Sequence, residues 1–151
     1  MKNFFSNLNL NQKTTWDKML DPLFSLRNSI ETPAIIENIL LMDLKRRGFR
    51  SHTLPLQHCN LHYLEWTPET NHTLPPLILV HGIGANATHW HHLTTYLMNE
   101  GHPIIIPDLP AHGRSTDPTE TFNPTLLHAI FAEFVQRVVP APSILVGNSL
   151  G

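Results

Sequence analysis

The chain has 151 residues, of which 41% are hydrophobic and 15% are charged, and its formal net charge is -2. A chain of this length can bury one sizeable core but is too short for two complete domains of ordinary size. The near-neutral charge excludes the strongly basic surface of a nucleic-acid binder, so we expect no nucleic-acid partner and no other electrostatic partner.

The N-terminus and the single cysteine bear on the cellular compartment. Polar Ser6 and Asn7 interrupt the apolar residues that follow Met1, so the unbroken apolar region of a secretory signal peptide is missing. No apolar run approaches the roughly 18 residues that a membrane span requires. Cys59 is the only cysteine and gives no reason to expect an oxidising compartment. We therefore expect a cytoplasmic protein; peripheral contact with lipid has no support in the sequence, and the oligomeric state is not predicted.

Eleven histidines raise the question of a metal site. The densest group, residues 89–92, falls in a predicted helix, where adjacent residues point in different directions, and no HExxH pattern accompanies it. The pair His58 and His62 is weaker still. We therefore expect neither a metal nor a cofactor.

The first 50 residues differ in pattern from the rest of the chain. Apolar residues recur at helical spacing over residues 16–24. A better-bounded helix is predicted from Thr32, as the N-cap, and Pro33 to a basic last turn that Gly48 ends. We predict a helical N-terminal extension over residues 1–50 that packs on the following domain; docking to a membrane surface or to a partner is the alternative.

From residue 51 the pattern becomes that of strands. Residues 51–66 predict a hairpin or two short edge strands. After a polar connection, short continuous apolar runs alternate with helices, which is typical of a mostly parallel sheet buried on both faces. The predicted elements are a strand at 77–80, a helix capped by Asn86 and closed by Gly101, a strand at 102–107, a helix that begins at Asn123-Pro124, and a strand at 143–146.

The last strand leads directly into Gly147-Asn148-Ser149-Leu150-Gly151, a match to G-x-S-x-G. In a nucleophile elbow the serine occupies a sharp turn with strained backbone angles, and the flanking glycines remove Cβ atoms that would clash with neighbouring elements. Such a turn holds the hydroxyl clear of the sheet. Ser149 is therefore a candidate nucleophile, although the motif by itself most often marks an ordinary turn.

Two further motifs follow the other two central strands. His81-Gly82-Ile83-Gly84 comes after the first, where a glycine-rich turn can supply an N–H donor for the negative charge that develops during acyl transfer. Asp108-Leu109-Pro110-Ala111-His112-Gly113-Arg114-Ser115 comes after the second. Each motif thus stands at the end of a predicted strand, and this position supports reading it as part of a catalytic site.

This ordered set of motifs resembles the α/β-hydrolase superfamily, in the branch of esterases, lipases, haloperoxidase-like enzymes and carbon–carbon hydrolases, over about residues 52–151. The resemblance implies an α/β-hydrolase fold, a doubly wound sheet of which residues 51–151 form the N-terminal part. It also implies a serine hydrolase that acts on a carboxylic ester or related acyl substrate through a covalent acyl-enzyme.

Residue roles carried over from the family begin with Ser149 as the nucleophile. The backbone N–H groups of Ile83 and Leu150 would form the oxyanion hole. His81 would be a structural residue near that hole and not the catalytic base.

The loop after the second central strand would shape the site without taking part in the chemistry. Asp108 and His112 are accordingly placed on a surface loop and assigned no catalytic role. Ala111 stands where the family often has glycine, which leaves the fine geometry of the loop open.

A serine hydroxyl needs a positioned imidazole to take its proton, and the imidazole needs an orienting carboxylate. The family's order of serine, then Asp or Glu, then His implies that both partners follow Gly151, together with the helix after the elbow. We expect the 151-residue chain alone to be inactive, and also poorly soluble because its last strand would form an exposed apolar edge.

Other functions on the same fold stay open. Acyl transfer, carbon–carbon bond hydrolysis and perhydrolysis would use the same nucleophile, and a truncated or pseudo-enzyme could serve as a binding module without turnover. The substrate is not predicted, because the resemblance implies a lid inserted in the second half of the fold.

Overall fold

A computed structural model describes residues 32–69, 74–139 and 142–151. The chain divides into two compact units, Met1–Met42 and Asp43–Gly151. The helix predicted around residues 16–24 lies outside the described residues, and the predicted domain boundary at residue 50 stays a prediction.

Helix α1, Thr32–Arg46, ends as its sequence predicts. Lys45 and Arg46 occupy the last turn, where positive charge complements the helix dipole. Gly48 follows with a φ of 98°, a left-handed conformation that favours glycine. Thr32 is the first helical residue instead of the predicted N-cap, a difference of one position that is common at helix ends.

An antiparallel hairpin opens the sheet and confirms the prediction for residues 51–66. Strand β1, Arg50–Pro55, pairs with β2, Asn60–Trp66, and the turn closes with a hydrogen bond from the Leu56 N–H to the Cys59 carbonyl at 2.9 Å. Pro55 lies at the end of β1, an edge strand, where the missing N–H costs no ladder hydrogen bond.

In the described ranges, five strands form one mixed sheet in the order β1-β2-β4-β3-β5. The remaining strands are β3, Leu77–Val80, β4, Ile104–Pro107, and β5, Ile144–Gly147. Central β3 runs parallel to both β4 and β5, while β2 meets β4 in antiparallel fashion. The carboxyl ends of β3, β4 and β5 therefore share one edge of the sheet, and each of the three predicted motifs begins there.

The helices between these strands start and stop at the predicted caps. The side-chain oxygen of Asn86 accepts a hydrogen bond from the Thr88 N–H, and a short 3-10 helix, Ala87–Trp90, precedes α2, His91–Glu100. Gly101 ends α2 with a φ of 81°. Asn123 caps α3, Pro124–Val138, by accepting from the Leu126 N–H at 2.9 Å.

The core lies where α3 packs on the sheet, and β3 and β4 are buried along their whole length. The inward side chains of α3 recur every four residues, as an amphipathic helix requires. One cluster contains Cys59, Leu61, Ile105, Leu126, Ile130 and Phe134. A second cluster contains Ile78, Val80 and Leu109, which carries the core up to the edge of the sheet where the motifs lie.

Strand β5 is the exposed edge that the sequence predicts. It forms the end of the sheet within the described part of the chain, with Ile144 43% and Leu145 57% exposed. Apolar edge strands of this kind promote association between chains. The predicted poor solubility has this physical basis and stays a prediction.

Candidate active site

The turn after β5 holds Ser149 in a strained backbone conformation. Its φ is 58°, a left-handed value that is uncommon for any residue except glycine and typical of functional turns. The Asn148 N–H donates to the Val80 carbonyl at 3.0 Å, and the Gly151 N–H donates to the Asn148 carbonyl at 3.1 Å. These bonds fix the turn across the ends of β5 and β3, and the expected strain at the serine is present.

Close backbone contacts explain why glycines surround this turn. A Cβ at Gly151 would lie 2.5 Å from the Val80 carbonyl oxygen, and one at Gly147 would overlap the backbone of Gly151. A Cβ at Gly82 would lie 2.9 Å from the Cβ of Ser149 and 3.0 Å from the carbonyl oxygen of Asn148. The structure therefore brings the His-Gly-x-Gly turn and the Gly-x-Ser-x-Gly turn into direct contact.

The two predicted oxyanion donors flank that contact, since Ile83 follows Gly82 and Leu150 follows Ser149. Within residues 32–69, 74–139 and 142–151, neither N–H donates a hydrogen bond to another backbone group. Both residues are exposed, Ile83 to 75% and Leu150 to 39%. Their role as an oxyanion hole stays a prediction.

His81 is buried and has both ring nitrogens engaged by the backbone. Its Nδ1 lies 2.8 Å from the Gly82 carbonyl, which can only accept, and its Nε2 accepts from the Leu109 N–H at 2.9 Å. Burial lowers the pKa of His81, so the ring is neutral at physiological pH. The ring ties the two motif loops together and has no nitrogen free to act as a base.

The expectation that Asp108 lies on a surface loop is wrong. The residue follows the end of β4 and is only 2% exposed. Its Oδ2 accepts from His62 Nδ1 at 2.7 Å and from the Arg114 N–H at 3.0 Å, and its Oδ1 accepts from the Ala87 N–H at 2.6 Å. Burial raises the pKa of Asp108, but the hydrogen bonds from His62, Arg114 and Ala87 together hold it below its ordinary value. The side chain is thus a buried carboxylate that joins three chain segments.

Other residues of the same motif complete this arrangement. Ser115 Oγ donates to the Asp108 carbonyl at 2.7 Å and accepts from the His62 N–H at 2.8 Å. A Cβ at Gly113 would overlap the Asp108 carboxylate, and the φ of Gly113 is 53°. Sequence reasoning missed this function of Asp108; the available signal was an acidic residue directly after a buried strand, with a glycine five positions later.

Ala111 and His112 occupy the tip of the loop. Ala111 has a φ of 63°, so it adopts the left-handed conformation for which the family's glycine is suited. His112 Nδ1 lies 2.9 Å from the Pro110 carbonyl, and its ring centroid lies 5.3 Å from that of His81. Nothing in these contacts gives His112 a chemical role.

Other histidines in the described part of the chain, among them His89 and His91, take part in polar contacts. His91 Nε2 lies 2.7 Å from Asp43 Oδ2, and Asp43 also pairs with Arg47 at 2.5 Å. Asn148 Nδ2 donates to His89 Nε2 at 3.3 Å, which links the elbow to the 3-10 helix. Among the described residues, no group of three or more His, Cys, Asp or Glu side chains is placed to hold a metal ion.

We next compared the chain with known proteins. Residues 77–151 match the model of the Alpha/beta hydrolase family. This part of the chain belongs to the α/β-hydrolase family. No curated protein sequence matches the chain significantly, so the more detailed comparison is with solved structures.

Solved α/β-hydrolase structures of several activities resemble the chain. A candidate lipase from Acinetobacter baumannii is 27% identical, with a TM-score of 0.65, over 76% of this chain and 38% of that one. The thioesterase domain from the curacin biosynthetic pathway is 23% identical, with a TM-score of 0.61, over 69% and 37%. The Cif epoxide hydrolase from Acinetobacter nosocomialis is 21% identical, with a TM-score of 0.60, over 81% and 40%.

The chain thus spans about two fifths of the length of these α/β-hydrolases. The thioesterase and epoxide hydrolase are too distant to show more than the shared fold. Among the described helices, none combines the length and apolar character needed to cross a bilayer.

Proposed function

We propose that the whole protein is a serine hydrolase that cleaves a carboxylic ester or related acyl substrate through a covalent acyl-enzyme on Ser149. The observation that carries this proposal is the left-handed Ser149, with a φ of 58°, held directly against Gly82. In the proposed site the Ser149 hydroxyl would lie beside the N–H groups of Ile83 and Leu150, which donate to no other backbone group in the described ranges.

In the proposed reaction, Ser149 Oγ attacks the acyl carbon while its proton passes to a histidine that follows Gly151 in the whole protein. The N–H groups of Ile83 and Leu150 would stabilise the resulting oxyanion, and loss of one such donor typically costs about 3 kcal/mol of transition-state stabilisation. The leaving alcohol takes the proton from the imidazole, and water then cleaves the Ser149 ester. No metal or cofactor is needed for these steps.

The similarity to the candidate lipase, which is 27% identical to this chain, supports acyl chemistry over the other reactions of the fold. Acyl transfer, carbon–carbon hydrolysis and perhydrolysis are the alternative outcomes of a substrate panel. A binding module without turnover is the non-enzymatic alternative, and the intact Gly147-Asn148-Ser149-Leu150-Gly151 turn argues against it.

The test begins with the coding sequence after codon 151, which should encode a carboxylate at a strand end and a later loop histidine. The longer polypeptide is then treated with a fluorophosphonate and assayed on esters, thioesters and diketones. We expect stoichiometric labelling at Ser149 that Ser149→Ala abolishes and that Ser143→Ala, a change at an exposed serine before β5, preserves. An immediate stop codon, or the absence of a label on the peptide that contains Ser149, would overturn the proposal.

A further inference from the structure

A second serine, histidine and carboxylate form a hydrogen-bonded chain outside the site at Ser149. Ser51 Oγ lies 2.8 Å from His62 Nε2, and His62 Nδ1 lies 2.7 Å from Asp108 Oδ2. All three residues belong to the compact unit Asp43–Gly151. A nucleophile within hydrogen-bond reach of a base, which a third group orients, is the geometric signature of an activated serine.

The direction of the hydrogen bonds follows from the carboxylate. Asp108 can only accept when it is ionised, and it is held in that state by the N–H donors of Ala87 and Arg114 as well as by His62. His62 Nδ1 therefore carries the ring hydrogen in the neutral imidazole. The lone pair of Nε2 is left facing the hydroxyl of Ser51, which is the tautomer that a general base requires.

The three hydrogen-bonded residues differ in burial, since the serine is exposed and its two partners are buried. His62 is 4% exposed and Asp108 is 2% exposed, so the base and its orienting group are shielded from water. Ser51 lies on edge strand β1 and is exposed. An electrophile in solution can thus approach the hydroxyl from outside while the imidazole is held behind it.

The hairpin fixes the geometry of the pair. Ser51 is in register with Leu64, and Thr53 is in register with His62, so both hydroxyl residues lie on the face of the hairpin that carries the imidazole. His62 is itself anchored through its backbone N–H, which donates to Ser115 Oγ. Exposed Thr53, two positions along the same strand, is a natural control for a hydroxyl on this face.

We propose that Ser51 is an acyl-acceptor site, with His62 as its general base and Asp108 as the group that orients the base. Ser51 Oγ attacks the carbonyl of an activated ester, the new Oγ–acyl bond forms, and the bond to the leaving oxygen breaks. The hydroxyl proton passes to His62 Nε2 and then to the leaving oxygen. The chemical class of substrate is an activated acyl donor, and the step does not depend on Ser149.

The position of Ser51 limits the expected chemistry to one round of acylation. It lies within a regular strand and not on a turn with converging N–H donors, so the acceleration comes from base catalysis, which contributes about 100-fold or more at an optimised site. We expect a smaller advantage, of at least about tenfold over an unassisted serine, since a regular strand supplies no converging N–H donors of its own for an oxyanion. The Ser51 ester should persist instead of turning over.

The test uses the 151-residue chain with Ser149→Ala and p-nitrophenyl acetate, followed by peptide mass spectrometry. Ser143, which is also exposed, is the reference within the same molecule. We expect acetylation of Ser51 to be at least about tenfold faster than that of Ser143, and this advantage to persist in Thr53→Ala. Equal rates at Ser51 and Ser143, or no acetylation of Ser51, would overturn the proposal.

A folding control separates base catalysis from a purely structural hydrogen bond. His62→Gln should reduce Ser51 acetylation to the rate of Ser143, and this holds as a test if the variant retains the circular dichroism spectrum of the parent. If that variant does not fold, the parent in concentrated urea serves instead, because unfolding should equalise the two serines. A rate advantage that survives in urea would contradict the role of His62.

Discussion

Gly82 and Ser149 touch: a Cβ on Gly82 would lie 2.9 Å from the Cβ of Ser149. The first central strand and the last described strand are parallel neighbours, with Val80 in register with Gly147. The turns that follow them are therefore pressed together at one edge of the sheet. The identity of residue 82 should determine the position of the candidate nucleophile.

Gly82→Ala should displace the elbow and destabilise the fold. The added methyl group meets Ser149 and the Asn148 carbonyl in a packed region, and overpacking of this kind typically costs about 1–3 kcal/mol. Urea unfolding followed by tryptophan fluorescence measures the cost. Low protein concentration is needed because β5 is an exposed apolar edge.

Gly84→Ala is the matched control for Gly82→Ala. A Cβ at Gly84 meets nothing within 4 Å, but the φ of 72° makes the residue strained, at a cost of about 1–2 kcal/mol. Both variants lose stability, yet Gly82→Ala should slow fluorophosphonate labelling of Ser149 in the longer polypeptide more than Gly84→Ala does. Equal labelling of the two variants would show that the Gly82 contact does not position the serine.

Asp108→Asn should be the most damaging polar substitution in the motif loops. The substitution replaces one carboxylate oxygen by an NH₂ group, which can only donate. His62, Arg114 and Ala87 all donate to this side chain, so at least one buried donor loses its acceptor. Breaking a buried, charge-assisted network of this kind costs about 3 kcal/mol or more. Asp117→Asn, at an exposed position, should change the unfolding free energy by less than about 0.5 kcal/mol, and a similar value for Asp108→Asn would refute the network's importance.

Ala111→Gly should stabilise the chain. The φ of 63° destabilises the folded chain by about 1–2 kcal/mol for alanine relative to glycine. The greater conformational freedom of glycine in the unfolded chain opposes this gain by up to about 1 kcal/mol. We expect a net gain of about 0.5–1 kcal/mol, visible as a higher urea midpoint. Ala129→Gly, at an exposed position inside α3, should instead lose about 1 kcal/mol; the same sign for both would contradict the strain.

Acidification should destabilise the fold through His81 and His91. Burial lowers the pKa of both side chains below their ordinary 6.5. As the pH falls, the unfolded chain then binds protons that the folded chain does not. The two neutral histidines therefore contribute stability above the pKa of histidine in the unfolded chain, and this contribution is lost as the pH falls below that pKa. The unfolding free energy should fall between about pH 7.5 and about pH 5.5.

The imidazole nitrogens give a direct check on His81. Their NMR shifts should show a neutral ring with hydrogen on Nδ1 at about pH 7, because Nε2 accepts the Leu109 N–H. An imidazolium at that pH would contradict the assignment. It would require the Leu109 hydrogen bond to break.

Sequence patterns predicted the fold well where local chemistry decides it. The caps at Asn86 and Asn123 and the stop at Gly101 follow from side-chain and backbone preferences of single residues. The alternation of buried strands and helices then required a parallel core. The hairpin was equally visible, because two short strand-like runs follow one another over residues 51–66.

Contacts between distant residues could not be predicted in the same way. His62 lies 46 positions before Asp108, and nothing in the periodicity of β2 marks a polar partner for a buried carboxylate. Asp108 was accordingly expected at the surface, although four hydrogen-bonded neighbours surround its buried side chain. Such pairs depend on sheet order, which becomes known only when the strands are assembled.

The most direct test of the central claim is mass spectrometry of an acyl-enzyme trapped on the longer polypeptide with an activated ester. The proposed function predicts one acyl group on the peptide that contains Ser149, formed in a burst, and loss of both the adduct and turnover in Ser149→Ala. A persistent Ser51 adduct in that variant would belong to the second site and leaves this test intact. Ester turnover that continues after Ser149→Ala would contradict Ser149 as the nucleophile.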